Sequence, residues 1–247
     1  MNQQRHSAPV SEVFSSIQGE GIYIGRRQIF VRLQNCNLAC SYCDTPRSNG
    51  PCRFETVPGS GEFSNTPNPV SCRWLRDLVD SLITVVPHHS ISITGGEPLL
   101  HAAFLKRWLP SLENDLPVHL ETNGTLPDAL ADVIEFVDVI AMDVKLPSAT
   151  GLAPRYDEHR RFLKAASARE AFVKVVFGDD TPDDELLLAA EIVQSVDACL
   201  PFVLQPVTGN GGNAPSRQRI ISAAALVASV LPNVLVIPQA HKMMGCL

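Results

Sequence analysis

Three thiols stand within eight residues at Cys36, Cys40 and Cys43, in the run NCNLACSYCDT, and no fourth cysteine follows closely. Thiolates are soft ligands, and three of them on one tight loop can wrap one side of a zinc ion or three corners of an iron–sulfur cube. A structural zinc site closes with four ligands, so it would have to borrow Cys52, Cys72 or a distant histidine. A cube held by three thiolates keeps one iron open, and a chelating ligand can sit there. The thiols alone leave both arrangements standing.

Other polar motifs recur along the chain: QGEG at 18–21, TGGEP at 94–98, ETN at 121–123, DVK at 143–145 and QPVT at 205–208. Paired glycines after a strand, as in TGGEP, let backbone approach a ligand closely. Gly19, Gly21 and Gly25 do not make a dinucleotide-binding loop, because their spacing misses GxGxxG and no long helix follows.

Taken together, CxxxCxxC with Tyr42 before its last cysteine resembles the cluster loop of the radical S-adenosylmethionine superfamily. Within that superfamily, the QGEG run, the FVRL strand carrying Arg32 and the Cys43-Asp44-Thr45 triplet resemble the 7-carboxy-7-deazaguanine synthases, with similarity running through nearly the whole chain to PQAHK. The resemblance implies a partial (β/α)6-type TIM barrel, an α/β fold. It implies a 4Fe-4S cluster on Cys36, Cys40 and Cys43, and S-adenosylmethionine chelated to the open iron and split into a 5′-deoxyadenosyl radical. The radical would take hydrogen from C6 of 6-carboxy-5,6,7,8-tetrahydropterin, the ring would contract, and ammonia would leave.

By the same resemblance Ile17, Gln18, Gly19, Glu20, Arg32, Thr94, Gln239, His241 and Leu247 would contact the pterin, with Arg32 pairing with its carboxylate. Thr45 would hold Mg2+. Tyr42, Cys43, Asp44, Gly95, Gly96, Glu97, Glu121, Thr122, Asn123, Asp143, Val144, Lys145, Gln205, Pro206, Val207 and Thr208 would surround S-adenosylmethionine. The Asp143-Val144-Lys145 triplet departs from the Ser-Pro-Lys run of many relatives. An electron donor such as flavodoxin or ferredoxin and a homodimer are implied as partners. The alternatives are another radical enzyme, such as a glycyl-radical activase acting on a protein, or a non-catalytic zinc- or cluster-binding module.

The elements that must position these residues are legible as β-branched runs at 27–33, 90–94, 118–122, 136–145, 171–177, 201–207 and 233–239. Helical patterns at 72–86, 101–109, 127–135, 156–167 and 215–230 stand between them, and in TPDDELLLAAEIVQSV Thr181 reads as a cap with Pro182 at the first helical position. Repeated β/α units build a partial barrel or an open doubly wound sheet, and in both the chemistry gathers at the C-terminal ends of the strands. The polar motifs fall there. Residues 46–71, rich in Pro, Gly, Ser and Asn, read as an inserted surface loop. The strand at 233–239 delivers Gln239 and His241 to the same rim, and the residues after it are too few for a stable helix, so the tail is expected to fold over the mouth with Met243 and Met244 packed on a flat ring.

The chain of 247 residues fits one domain spanning 1–247, and its 45% apolar content contains no run of the roughly 18–20 apolar residues that a membrane span needs. MNQQRHSAPV has neither a basic segment nor an apolar core, so no signal peptide is read, and a cytoplasmic protein is expected. Seven cysteines, an odd number, favour thiols and metal ligands over disulfides. A net charge of −6 without basic runs argues against nucleic acid and for a small-molecule substrate.

Overall fold

The computed structural model describes residues 6–43, 45, 49–208 and 214–246. Its strands are β1 (Ser7–Ala8), β2 (Val10–Ile17), β3 (Arg27–Leu33), β4 (Cys52–Glu55), β5 (Phe63–Thr66), β6 (Val70–Ser71), β7 (Ser90–Gly95), β8 (Val118–Thr122), β9 (Val139–Val144), β10 (Glu170–Phe177), β11 (Phe202–Pro206) and β12 (Val234–Val236). Its α-helices are α1 (Cys72–Val85), α2 (Ala102–Trp108), α3 (Pro127–Ala131), α4 (Pro147–Thr150), α5 (Tyr156–Ala166), α6 (Asp183–Gln194), α7 (Arg217–Ala228) and α8 (Ala240–Met244).

Ten strands form one sheet in the order β12-β11-β10-β9-β8-β7-β3-β2-β4-β5, while β1 and β6 pair separately. From β3 to β12 every neighbour is parallel, the signature of β/α units. The two ends of the order do not pair, so the sheet stays open.

The two faces of this sheet differ in chemistry because side chains alternate along each strand. One set, including Val31, Ile93, Leu120, Met142, Val175 and Leu204, joins a single apolar cluster with buried residues of α1, α2, α3, α5, α6 and α7. All these helices cover the same face, which is the arrangement of a barrel wall and not of a doubly wound sheet. The opposite set presents Arg32, Thr94, Glu121, Asp143, Lys174 and Gln205 to a cavity. Register aligns them: Arg32 lies across from Thr94, Asp143 from Lys174 and Val176 from Gln205. The turn after β2 fills part of the concave face, with Tyr23 packed on His119 and with Gly21 so close to Phe172 that an added Cβ would lie 2.5 Å from the ring.

Three local readings are corrected. The segment at 46–71 is not only a loop: β4 and β5 pair antiparallel and β4 adds to β2, extending the sheet, while β6 pairs with β1. Helix α6 starts one residue late, with Pro182 at the cap position, because the Thr181 hydroxyl accepts from the Gly178 N–H (2.9 Å) and not from its own helix. The tail does form a short helix, α8, ended by Gly245 in the left-handed region. Tertiary contacts hold it, since five residues are too few to be helical alone.

Candidate active site

The cysteine loop leaves the end of β3 and is pinned at both sides. Gly96 N–H donates to Leu33 O at 3.2 Å and Glu97 N–H to Asn35 O at 2.8 Å, fastening the TGGEP turn to the start of the loop. A Cβ on Gly96 would lie 2.2 Å from Asn35 O, and one on Gly95 2.2 Å from Leu33 O. The glycine pair is therefore required first by backbone packing against the cysteine loop. On the other side the Ser41 N–H and hydroxyl donate to Thr150 O (3.0 Å) and Ala149 O (2.6 Å) of α4.

All three thiols line one cavity of about 340 Å³, and none forms a disulfide. Cys36 Sγ accepts from Leu38 N–H at 3.4 Å and lies 3.9 Å from Asn123 Nδ2. Burial pushes the Cys36 and Cys40 thiols up. Among the described residues no three His, Cys, Asp or Glu side chains converge as a single-ion cage would require. The thiols instead border one cavity together, and three soft donors in that arrangement fit the separate corners of a cluster. Cys52 lies buried in β4 and Cys72 borders a different notch with Arg73, Arg76 and Arg107, so neither joins the loop.

The same cavity is bordered by Ile17, Gln18, Gly19, Glu20, Arg32, Tyr42, Thr45, Thr94, Gly95, Gly96, Glu121, Thr122, Asn123, Asp143, Lys145, Gln205, Val207, Thr208, Gln239 and His241. Gln18 Nε2 donates to Glu121 Oε1 (2.8 Å), which also accepts from Ser92 Oγ (3.0 Å), while Glu121 Oε2 takes Thr94 Oγ1 at 3.0 Å. Glu121, expected beside the cofactor, thus has hydrogen-bond partners among the residues expected beside the pterin. Arg32 Nε donates to Glu12 Oε1 at 2.8 Å across the β2–β3 register. Lys145 Nζ donates to Asp143 Oδ2 (2.8 Å) and to the Tyr42 hydroxyl (2.9 Å), tying the strand to the cysteine loop. Burial alone would depress Lys145, but Asp143, Tyr42 and Cys40 together raise it.

Three expected cofactor residues keep their side chains out of the cavity. Val144 and Pro206 are out of phase with Asp143 and Gln205 on their strands; Val144 is packed into the helix-side core. Glu97 is fully buried behind the site, accepting from Leu99 N–H (3.0 Å), Thr122 Oγ1 (2.9 Å) and Asn123 N–H (2.8 Å), and so braces two turns. Met243 and Met244 are exposed and do not border the cavity. Asp44 and Leu247 lie outside the described residues.

Sequence reasoning missed Glu12, Phe14, Phe30, His119, Phe172, Lys174 and Lys242, which also border it. One signal was available for Lys174: a lysine in the middle of the β-branched run AFVKVVF needs a polar partner if it is not at the surface.

Comparison with known proteins shows the family. The model of the Radical SAM superfamily matches residues 31–178. The chain is similar to the 7-carboxy-7-deazaguanine synthase of Geobacter sulfurreducens, 46% identical over 96% of this chain and 97% of that protein. It is also similar to the synthase of Archaeoglobus fulgidus, 37% identical over 96% and 98%. Its fold resembles the crystal structure of QueE from Escherichia coli, with TM-score 0.55 and 18% identity over 94% and 95% of the two chains. No helix among the described residues is long and apolar enough to cross a membrane. With its thiols, its glycine turn and its polar strand ends gathered on one cavity, this chain belongs to the 7-carboxy-7-deazaguanine synthase family of radical S-adenosylmethionine enzymes.

Proposed function

We propose that this chain converts 6-carboxy-5,6,7,8-tetrahydropterin to 7-carboxy-7-deazaguanine with loss of ammonia, in the making of queuosine precursors. One observation carries the reading: a single cavity joins the cysteine loop to Gln18, Glu20 and Arg32 on one side and to Asp143 and Lys145 on the other. Cys36, Cys40 and Cys43 would hold the 4Fe-4S cluster, which with bound S-adenosylmethionine would supply the radical chemistry. Asn123, Gly95, Gly96, Asp143, Lys145 and Gln205 to Thr208 would hold the cofactor, with Glu97 bracing them from behind.

Gln18, Glu20 and Glu121 present acceptors to the N–H edge of a pterin, and Arg32 has donors beyond the one it gives to Glu12. Thr45 would serve a Mg2+ ion whose remaining places are filled by substrate oxygens and water, as magnesium tolerates. The wall of strands would limit access of water and hold the substrate's reacting C–H in one orientation, which is the part of the work that belongs to the protein. We also infer a cytoplasmic enzyme that works as a homodimer and is reduced by a flavodoxin or ferredoxin.

The test is anaerobic reconstitution with iron and sulfide, followed by dithionite, S-adenosylmethionine, magnesium and the carboxytetrahydropterin. A brown protein and a deazaguanine product, seen by mass and absorbance, are expected. A colourless protein holding stoichiometric zinc, or a cluster protein that leaves the pterin unchanged, would sink the reading.

A further inference from the structure

Lys174 stands in the middle of β10 between Phe172 and Val176, on the cavity face. Its ammonium meets the Glu20 carboxylate, and it lies 3.4 Å from Asp143 Oδ2, its neighbour across the β9–β10 register. Asp143 Oδ2 in turn takes Lys145 Nζ at 2.8 Å. Glu20, Lys174, Asp143 and Lys145 therefore alternate in sign along one wall, two anions and two cations, and none of these side chains is more than 20% exposed. The row runs from the turn that would read the substrate to the residues that would hold the cofactor.

Glu20 is placed by its surroundings on three sides. Its backbone is extended, at φ −134° and ψ 159°. Gln239 Nε2 donates to its Oε1 at 2.6 Å, and the Gln18 side-chain oxygen accepts from its N–H at 3.0 Å. A carboxylate buried to this degree is costly unless a cation stands against it.

We propose that Lys174 is a positioning residue that fixes the Glu20 carboxylate on the cavity wall as the acceptor for the paired N–H edge of an aminopyrimidinone ring, and so favours heterocycles that carry such an edge. This rests on the reading of the cavity as a pterin site and deepens it. An ionised carboxylate accepts hydrogen bonds and cannot donate one, so it pairs with a 2-amino, N3–H edge and meets a 2-oxo edge with like polarity. A site built on such a pairing discriminates strongly, because the wrong edge leaves a buried charge unpaired.

The groups facing Glu20 are Lys174 of β10, Asp143 of β9 with Lys145 just after that strand beyond it, and Gln239 at the cap of α8 with His241 in its first turn. Burial alone would raise the Glu20 carboxyl; Lys174, helped by Gln239 and His241, outweighs burial and lowers it to about 2. With Lys174 removed, burial pushes the carboxyl back up. A protonated Glu20 would then bind the pterin poorly at low pH and recover as pH rises.

The experiment measures pterin binding to the reconstituted protein with S-adenosylmethionine, anaerobically, at pH 6.5 and 8.5. The unaltered protein should bind equally at both and prefer the pterin to its 2-oxo analogue. Lys174→Met should bind about tenfold more weakly at pH 6.5, regain part of that at pH 8.5 and lose most of the preference. Its iron content should be unchanged, and Lys174→Arg should restore binding. Glu20→Gln/Lys174→Met, which leaves no carboxylate at 20 to go unpaired, should bind no worse than Glu20→Gln alone; that comparison decides the matter if Lys174→Met does not fold. Unaltered affinity, pH dependence and preference in Lys174→Met, or a double variant weaker than Glu20→Gln, would overturn the role. A ligand-free infrared measurement separates this from the functional reading: a protonated carboxyl band that vanishes with Glu20→Gln should appear at pH 6.5 in Lys174→Met but not in the unaltered protein. A protein that binds no pterin but passes the infrared arm refutes the substrate and keeps the ion pair; one that binds pterin but fails that arm refutes Lys174.

Discussion

At Glu97 a buried carboxyl touches nothing in the cavity yet ties together two turns that do. Burial pushes it up to about 7, against the pull of the Asn123 and Leu99 N–H groups and the Thr122 hydroxyl. A carboxyl whose folded value lies above its unfolded one adds stability that is complete below about pH 4.5 and lost as pH rises through 7. The difference amounts to about 3 kcal/mol at most. The urea midpoint of the protein should therefore fall between pH 5.5 and pH 8, and Glu97→Gln, which cannot ionise, should flatten that fall. An identical pH slope in the variant would show that Glu97 is ionised throughout. TGGEP drew attention as a motif for its glycines and their reach toward a ligand. The chain itself gives no sign that the glutamate turns inward, because that depends on the end of β8, with Thr122 and Asn123, lying behind it.

Strands β4 and β5 show how an element escapes a sequence pattern. Their turn holds Pro58, Gly59, Ser60 and Gly61, the composition of a loop, and each strand is only four residues long. What fixes them is Glu55, fully buried, whose carboxylate accepts from Ser15 N–H (2.9 Å), Gly59 N–H (2.9 Å) and Gly61 N–H (2.8 Å). Asn68 secures the return, exchanging bonds with Val10 and donating to Gly50 O. Glu55→Ala should leave buried donors unmet and cost about 2–4 kcal/mol, read as a lower urea midpoint and faster proteolysis between 56 and 62. Iron loading of the cysteine loop should stay normal; its loss would mean that the insertion supports the cluster. The central strands were legible because their β-branched runs are continuous and each faces the helices. The insertion was not, since its stability comes from two polar side chains meeting a distant strand.

Over the whole molecule, one alternation rule divides the sheet into a helix-packed face and a reactive face, and the polar motifs at the strand ends could be read in advance for that reason. The tail was expected over the mouth because the strand at 233–239 aims Gln239 and His241 at the rim; the contacts that fasten it could not be read, because they join residues more than two hundred positions apart. Ala240 N–H donates to Gly19 O at 2.9 Å, and Gln239 reaches Glu20. A Cβ on Gly19 would fall 2.1 Å from His241 Nδ1 and 2.5 Å from His241 N, so Gly19→Ala should push α8 away. Weaker pterin binding and cofactor cleavage without product are expected, with iron unchanged, whereas Met243→Ser and Met244→Ser should alter neither because both side chains face outward. Normal coupling in Gly19→Ala would show that α8 is dispensable.

That contact also sets an order of events at the ribosome. The cysteine loop has its supports, Leu33, Asn123 and Thr150, all made by the time residue 150 emerges. The turn at Gly19 must wait for Ala240, which is made more than two hundred residues after it. During synthesis the protein can therefore shape the place for its metal well before it has anywhere to put a substrate.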